Sequence, residues 1–185
     1  KDCNVCKVTR KTEHKYDNAF DAFCNICKSE RTPPNTATRS FVDVPANAWY
    51  KYYVDYAVAY GLFSGTSDIT FSPNADMTRA QFVTVVTRYL YADELKAMEN
   101  EFGKADVWFE YNYDVAIEHG IIKETEFEVA DMGVAMSRQE MAMVLVRAAG
   151  EKGESAEKLI HTQRIADYDT IGGYYKDYVR QCYSM

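Results

Sequence analysis

Four of the five cysteines fall within the first thirty residues as two Cys-x-x-Cys pairs, Cys3 with Cys6 and Cys24 with Cys27. The pairs share their local text, Cys3-Asn4-Val5-Cys6-Lys7 against Cys24-Asn25-Ile26-Cys27-Lys28, at an offset of 21. Two such hairpins at this separation have the spacing of a four-thiolate structural zinc site. Zn²⁺ is borderline soft and takes tetrahedral sulfur readily. So short a segment cannot bury a sufficient core, so it needs a metal or bridges to fold. Two disulfides are the other reading, favoured in an oxidising compartment. No βαβ pattern accompanies the pairs, which argues against redox chemistry. His14 lies between them and reads as a solvated loop residue, at most a substitute ligand.

A second set of residues carries charge. Thr78-Arg79-Ala80-Gln81 returns as Ser137-Arg138-Gln139-Glu140, and Trp49, Ala57 and Gly61 return as Trp108, Ala116 and Gly120, all 59 positions later. A constant offset across several residue types marks a duplicated unit. A hydroxyl residue followed three positions on by Gln or Glu is a capping box that opens a helix. Phe82, Val85, Val86 and Tyr89 in one copy, and Met141, Val144, Leu145 and Ala148 in the other, follow at helical spacing. A cation in the first turn opposes the helix dipole, so Arg79 and Arg138 call for an anion. A guanidinium takes a carboxylate bidentately, and free N–H groups at a helix start add to the site. The plainer reading pairs each arginine with a neighbouring carboxylate. Trp49 and Trp108 are either core anchors or sugar platforms, and Asp43 and Asp106 read first as caps of helices or turns. His119 and His161 receive no role.

The elements that must hold these residues are mainly helical. Residues 1–32 form the cysteine segment and 33–40 a Pro/Thr linker. Residues 41–103 and 104–164 form two repeats, and 165–185 the start of a third, cut short, as in an excised fragment. Each repeat begins with a helix, 49–60 or 109–119, closed by Gly61 or Gly120, and a loop leads to the motif helix. The first motif helix continues through Ala92–Glu101 to Gly103, and the second stops at Gly150. In the third copy Asp167 and Tyr174–Val179 match the first, and Cys182 stands where Ala57 and Ala116 do. Small residues there imply first helices packed closely as a pseudo-threefold bundle, with the motif helices outside. Glu124 replaces Gly65 in the degenerate second loop.

Apolar residues at 47 % are ample for a core, and a net charge of −7 with no basic run excludes nucleic acid as a partner. No apolar run is long enough to span a membrane. Neither a nucleophile elbow nor a phosphate-binding glycine loop is present, which points away from an enzyme.

The succession Phe-x-Asp-Val, Trp, Ala, Gly, Gly, Phe-x-Pro and Thr-Arg-Ala-Gln over residues 41–81 resembles the S-layer homology (SLH) domain, and the resemblance extends over 41–185. It implies an SLH-like pseudo-threefold helical domain, beside the small zinc-ribbon-like segment. It implies non-covalent anchoring of a bacterial surface protein to secondary cell-wall polysaccharide, an anionic and often pyruvylated partner, and hence an extracellular place in the cell wall or S-layer. Carried over, it makes Asp43, Trp49, Gly65 and Arg79 the binding residues of the first copy and Asp106, Trp108 and Arg138 those of the second. Cys3, Cys6, Cys24 and Cys27 stay the expected metal ligands. The other class of function is a structural or S-layer assembly module that contacts other surface-layer proteins. On the anchoring reading Arg79→Ala weakens retention on isolated sacculi; unchanged retention removes Arg79 from the site.

Overall fold

A computed structural model describes residues 14–15, 23–30, 40–151 and 165–184. Cys3, Cys6, most of the Pro/Thr linker and residues 152–164, with His161 among them, lie outside the described residues. The protein is mainly helical, with α1 over Lys51–Ala59, α2 over Arg79–Phe102, α3 over Glu110–Glu118, α4 over Arg138–Glu151 and α5 over Lys176–Ser184. The described residues contain no strand, only the isolated antiparallel bridges Phe23–Glu30 and Thr78–Ala135. The chain divides into two compact units, Lys1–Ala75 and Asp76–Met185.

In the first unit, α1 turns Val54 and Val58 onto Phe41 and Val44, with Tyr50, Phe63 and Phe71 packed around them. Each such side chain contributes ~1.5–3 kcal/mol on burial, which is what holds so short a helix in place. Gly61, at φ 74°, ends α1, as its place after the helix predicts. The following loop returns to the lead-in, where the Val42 N–H donates to the Ile69 carbonyl at 2.9 Å. Gly65 sits in that loop at φ +86°, where a Cβ would lie 2.6 Å from Phe41 Cε1 and 2.8 Å from the Thr70 oxygen. Only glycine fits there.

The second unit opens on the capping box that the sequence predicts. Thr78 Oγ1 accepts from the Gln81 N–H at 3.3 Å, and Gln81 Oε1 accepts from the Thr78 N–H at 2.9 Å. Helix α2 bends at Tyr91 (φ −130°, ψ 35°), whose ring stacks on His119 at 3.9 Å between centroids. It resumes to Gly103, at φ 83°. The pairing of helices repeats: α2 packs on α3 as α4 packs on α5, each motif helix meeting the first helix of the next copy. A buried bond from the Thr87 hydroxyl to Asn112 Oδ1, at 2.9 Å, joins α2 to α3. The core gathers Val83, Ala116, Ile121, Ile122, Phe127, Met143 and Val144, all fully buried.

Helices α2 and α4 touch each other and supply Val83, Met143 and Val144 to the core of the second unit. One expectation changes. Gly150 does not stop α4, which runs on to Glu151. A glycine ends a helix only by taking the left-handed conformation, and Gly150 is not among the residues with positive φ.

Gly65→Ala is expected to destabilise the first unit by ~2–3 kcal/mol, combining left-handed strain with overlap on Phe41. Gly103→Ala, also at positive φ but with open space around it, should cost only ~1 kcal/mol. Urea denaturation of the two variants checks the order.

Candidate functional site

Arg79 stands at the first position of α2, and its surroundings explain the cation there. Its Nη2 lies 2.5 Å from Glu140 Oε1, and its guanidinium covers the Phe127 ring at 4.7 Å. Glu140 is the acid of the second capping box. Its other oxygen accepts from the Ser137 N–H at 2.7 Å and the Ser137 hydroxyl at 2.8 Å. One carboxylate thus caps α4 and neutralises the start of α2. Burial alone would raise the Glu140 carboxyl; the Ser137 donors and Arg79 outweigh it and hold it below the usual carboxylate range. The N–H groups beside Arg79 are also taken. Arg79 N donates to the Val134 carbonyl at 3.0 Å and Ala80 N to that of Met132 at 2.9 Å. The helix start read as free is therefore occupied by the loop before α4.

Arg138 differs. It is exposed, and among the described residues neither its guanidinium nor the backbone N–H groups of Arg138 and Gln139 find a partner. Ser137 and Glu140 complete a capping box, with Glu140 N to Ser137 Oγ at 3.4 Å, so the helix start is well formed yet open. Of the same repeat, Trp108 is 58 % exposed and edge-on to Phe109. Asp106 is exposed and makes no hydrogen bond among the described residues.

Asp43, Trp49 and Gly65 belong to the first unit. The Asp43 carboxylate accepts from the Phe71 N–H at 2.9 Å and the Ser72 N–H at 2.7 Å. The Phe71 amide is the main reason its carboxyl is held below its ordinary value. Asp43 therefore staples the loop that Gly65 turns, and its oxygens are committed to that task. Trp49 is 82 % exposed, so it is not a core anchor. Trp49 meets the Tyr50 and Tyr53 rings edge-on, and with Tyr52 and Tyr53 also exposed it forms an aromatic ledge on one side of α1.

One group of residues escaped the sequence reading, and a second was read only as an outside chance. Arg147 forms a largely buried bidentate pair with Glu126, Nη1 to Oε2 at 2.7 Å and Nη2 to Oε1 at 2.8 Å. The Tyr174 hydroxyl donates to the same Glu126, and the Tyr178 hydroxyl lies 3.1 Å from Arg147 Nη2. The signal was available: Arg88 and Arg147 also stand 59 apart. The second group is His14, whose Nδ1 lies 3.4 Å from Cys27 Sγ, so it is not a mere loop residue. His14, Cys24 and Cys27 bring one ligand atom each within 4.8 Å of one another, a group able to hold a metal ion. An imidazole 13 positions from its partner thiol has no spacing rule to announce it.

Paired helices and repeated capping boxes define a helical repeat module. Residues 40–83 match the family model of the S-layer homology domain. It is 32 % identical over 147 residues to an endoglucanase of Bacillus sp. (strain KSM-635), covering 78 % of this chain and 15 % of the endoglucanase. It is 27 % identical over 132 residues to S-layer protein EA1 of Bacillus anthracis, covering 71 % and 15 %. It is 28 % identical over 114 residues to the Surface-layer 125 kDa protein of Lysinibacillus sphaericus, covering 58 % and 10 %. The chain thus spans 15 % or less of each of these relatives. No solved structure matches it significantly.

The Glu126–Arg147 pair should make stability depend on acid. Burial would raise the Glu126 carboxyl, but the Arg147 and Tyr174 hydrogen bonds hold it down to about 2. Its contribution is therefore complete above the unfolded carboxyl value of ~4.3 and is lost as pH falls toward 2, on the order of 2–3 kcal/mol. Glu126→Gln should flatten the stability–pH curve between those limits, as measured by urea denaturation at stepped pH.

Proposed function

We propose that the chain anchors a bacterial surface protein non-covalently to the cell wall by binding an anionic, often pyruvylated, secondary cell-wall polysaccharide outside the cell. The observation that carries this reading is Arg138, an exposed guanidinium beside two N–H groups at the start of α4 that find no partner among the described residues. Such an arrangement suits a carboxylate, as a pyruvate ketal presents, and the helix dipole adds to it. Exposed Trp108 in the same repeat and the Trp49 ledge in the first unit offer faces on which sugar rings stack. Asp106, exposed beside Trp108, is proposed to meet sugar hydroxyls. Arg79, Asp43 and Gly65, all engaged internally, then act as positioning residues that hold the repeat's shape.

The relatives support attachment over catalysis. Proteins named for unlike roles, an endoglucanase and surface-layer proteins, match this chain over a small part of their length. A segment common to both kinds is better suited to placing them than to a shared reaction. The cysteine segment is proposed to hold a structural Zn²⁺. A second reading, assembly with other surface-layer proteins, draws on the Arg79–Glu140 contact, which leaves one motif arginine committed inside the fold.

Retention on isolated sacculi tests the proposal. Arg138→Ala should lower affinity about tenfold, the worth of one charge-assisted pair, with no change in thermal stability. Arg79→Ala should lower stability first. Undiminished retention of Arg138→Ala would falsify the assigned site, and equal retention on polysaccharide-stripped sacculi would favour the assembly reading.

A further inference from the structure

The segment around Cys24 and Cys27 is built as a metal-binding knuckle. The Phe23–Glu30 bridge closes its base, the Cys24 N–H donates to the Ser29 carbonyl at 3.0 Å, and the Lys28 N–H to the Cys24 carbonyl at 2.8 Å. Lys28 takes the left-handed conformation, φ 58°, immediately after the second cysteine. This bears strain that a non-glycine residue tolerates only where the turn demands it. Cys24 is 1 % exposed, so its sulfur faces the inside of the turn. His14 enters from outside the pair. Its Nδ1 lies 3.4 Å from Cys27 Sγ and 3.3 Å from the Ser29 hydroxyl, and the Asn25 N–H bonds the carbonyl of neighbouring Lys15 at 2.8 Å, tying that strand of chain to the knuckle.

We infer that His14 is a protein ligand to a zinc ion held by Cys24 and Cys27, through Nδ1, in a mixed nitrogen–sulfur site. This rests on the zinc reading above and departs from the four-thiolate set that cysteine spacing suggests. The three donors lie within 4.8 Å of one another, and Nδ1 and Cys27 Sγ, at 3.4 Å, are already near the ~3.5–3.8 Å between ligands that tetrahedral coordination at ~2.3 Å to sulfur and ~2.0–2.1 Å to nitrogen sets. Two thiolates and a neutral imidazole form a borderline set suited to Zn²⁺ over Mg²⁺ or Ca²⁺, which want oxygen. Ser29, whose hydroxyl lies 3.0 Å from Cys27 Sγ, would be an outer-shell partner that orients the sulfur.

The test uses the whole chain, reduced and reconstituted with zinc. X-ray absorption at the zinc edge should show sulfur at ~2.3 Å together with imidazole scattering at ~2.0–2.1 Å. The imidazole signal should vanish in His14→Ala, and zinc affinity, measured by competition with a chromophoric chelator, should fall by more than the ~10–100-fold that an outer-shell loss costs. If His14→Ala does not fold, the wild-type spectrum alone decides. An all-sulfur shell overturns the assignment of His14 while leaving the zinc reading standing. Failure of the reduced wild type to bind zinc, with Cys24 and Cys27 freely alkylated, overturns both.

Discussion

The contact between Arg79 and Glu140 ties the start of one motif helix, α2, to the start of the next, α4. An arginine in a first helical turn costs ~0.3–1 kcal/mol against the dipole when it stands alone. Here it meets a carboxylate that is 8 % exposed, already fixed by two donors from Ser137. Pre-orientation matters, because a side chain held by its own capping box loses little further freedom on pairing. The first-turn amides of α2 complete the junction by bonding the carbonyls of Met132 and Val134. Helix start, loop and next helix start are thus joined in one polar network above the apolar contact of α2 with α4.

The local grammar of this fold was legible. Both capping boxes, the turns at Gly61 and Gly120, and the extension of α2 to Gly103 follow from residues within a few positions of each other. Such signals depend on neighbours in the chain, which the sequence displays. What it could not display is who meets whom across sixty residues. The helix start at Arg79 looks identical to that at Arg138 until the loop carbonyls and Glu140 arrive at one and not the other. Periodicity failed in the same way at Leu145, which lies on the apolar register of α4 and yet is 44 % exposed. A register says which residues share a face, while the partner decides how wide the buried face is. The tryptophans, left between core and surface, are resolved by exposure alone.

Three arginines show three solutions to the same electrostatic problem. Arg147 takes a carboxylate from the loop of its own repeat, with hydroxyls from Tyr174 and Tyr178 around it. Arg88, at the equivalent place in the first copy, is exposed, and Ser67 stands where Glu126 does. The copies share helices and pairings but have diverged in where charge is internalised. Degeneracy in the second loop is therefore not simple decay. With Glu126 in place the loop gains a charge anchor, while Phe127 beside it fills the core and carries the Arg79 guanidinium on its face.

Magnitudes then separate the arginines as ligand sites. A polysaccharide carboxylate taking Arg79 must displace Glu140, leaving a nearly buried carboxylate short of its charged partner. Breaking such a pair costs ~3–5 kcal/mol, more than the ~1.5–3 kcal/mol a new charge-assisted hydrogen bond returns. At Arg138, which is exposed, no partner among the described residues has to be displaced. On the anchoring proposed above, that balance favours Arg138 over Arg79. The arginine that fits the family pattern best is for that reason the one the fold can least spare.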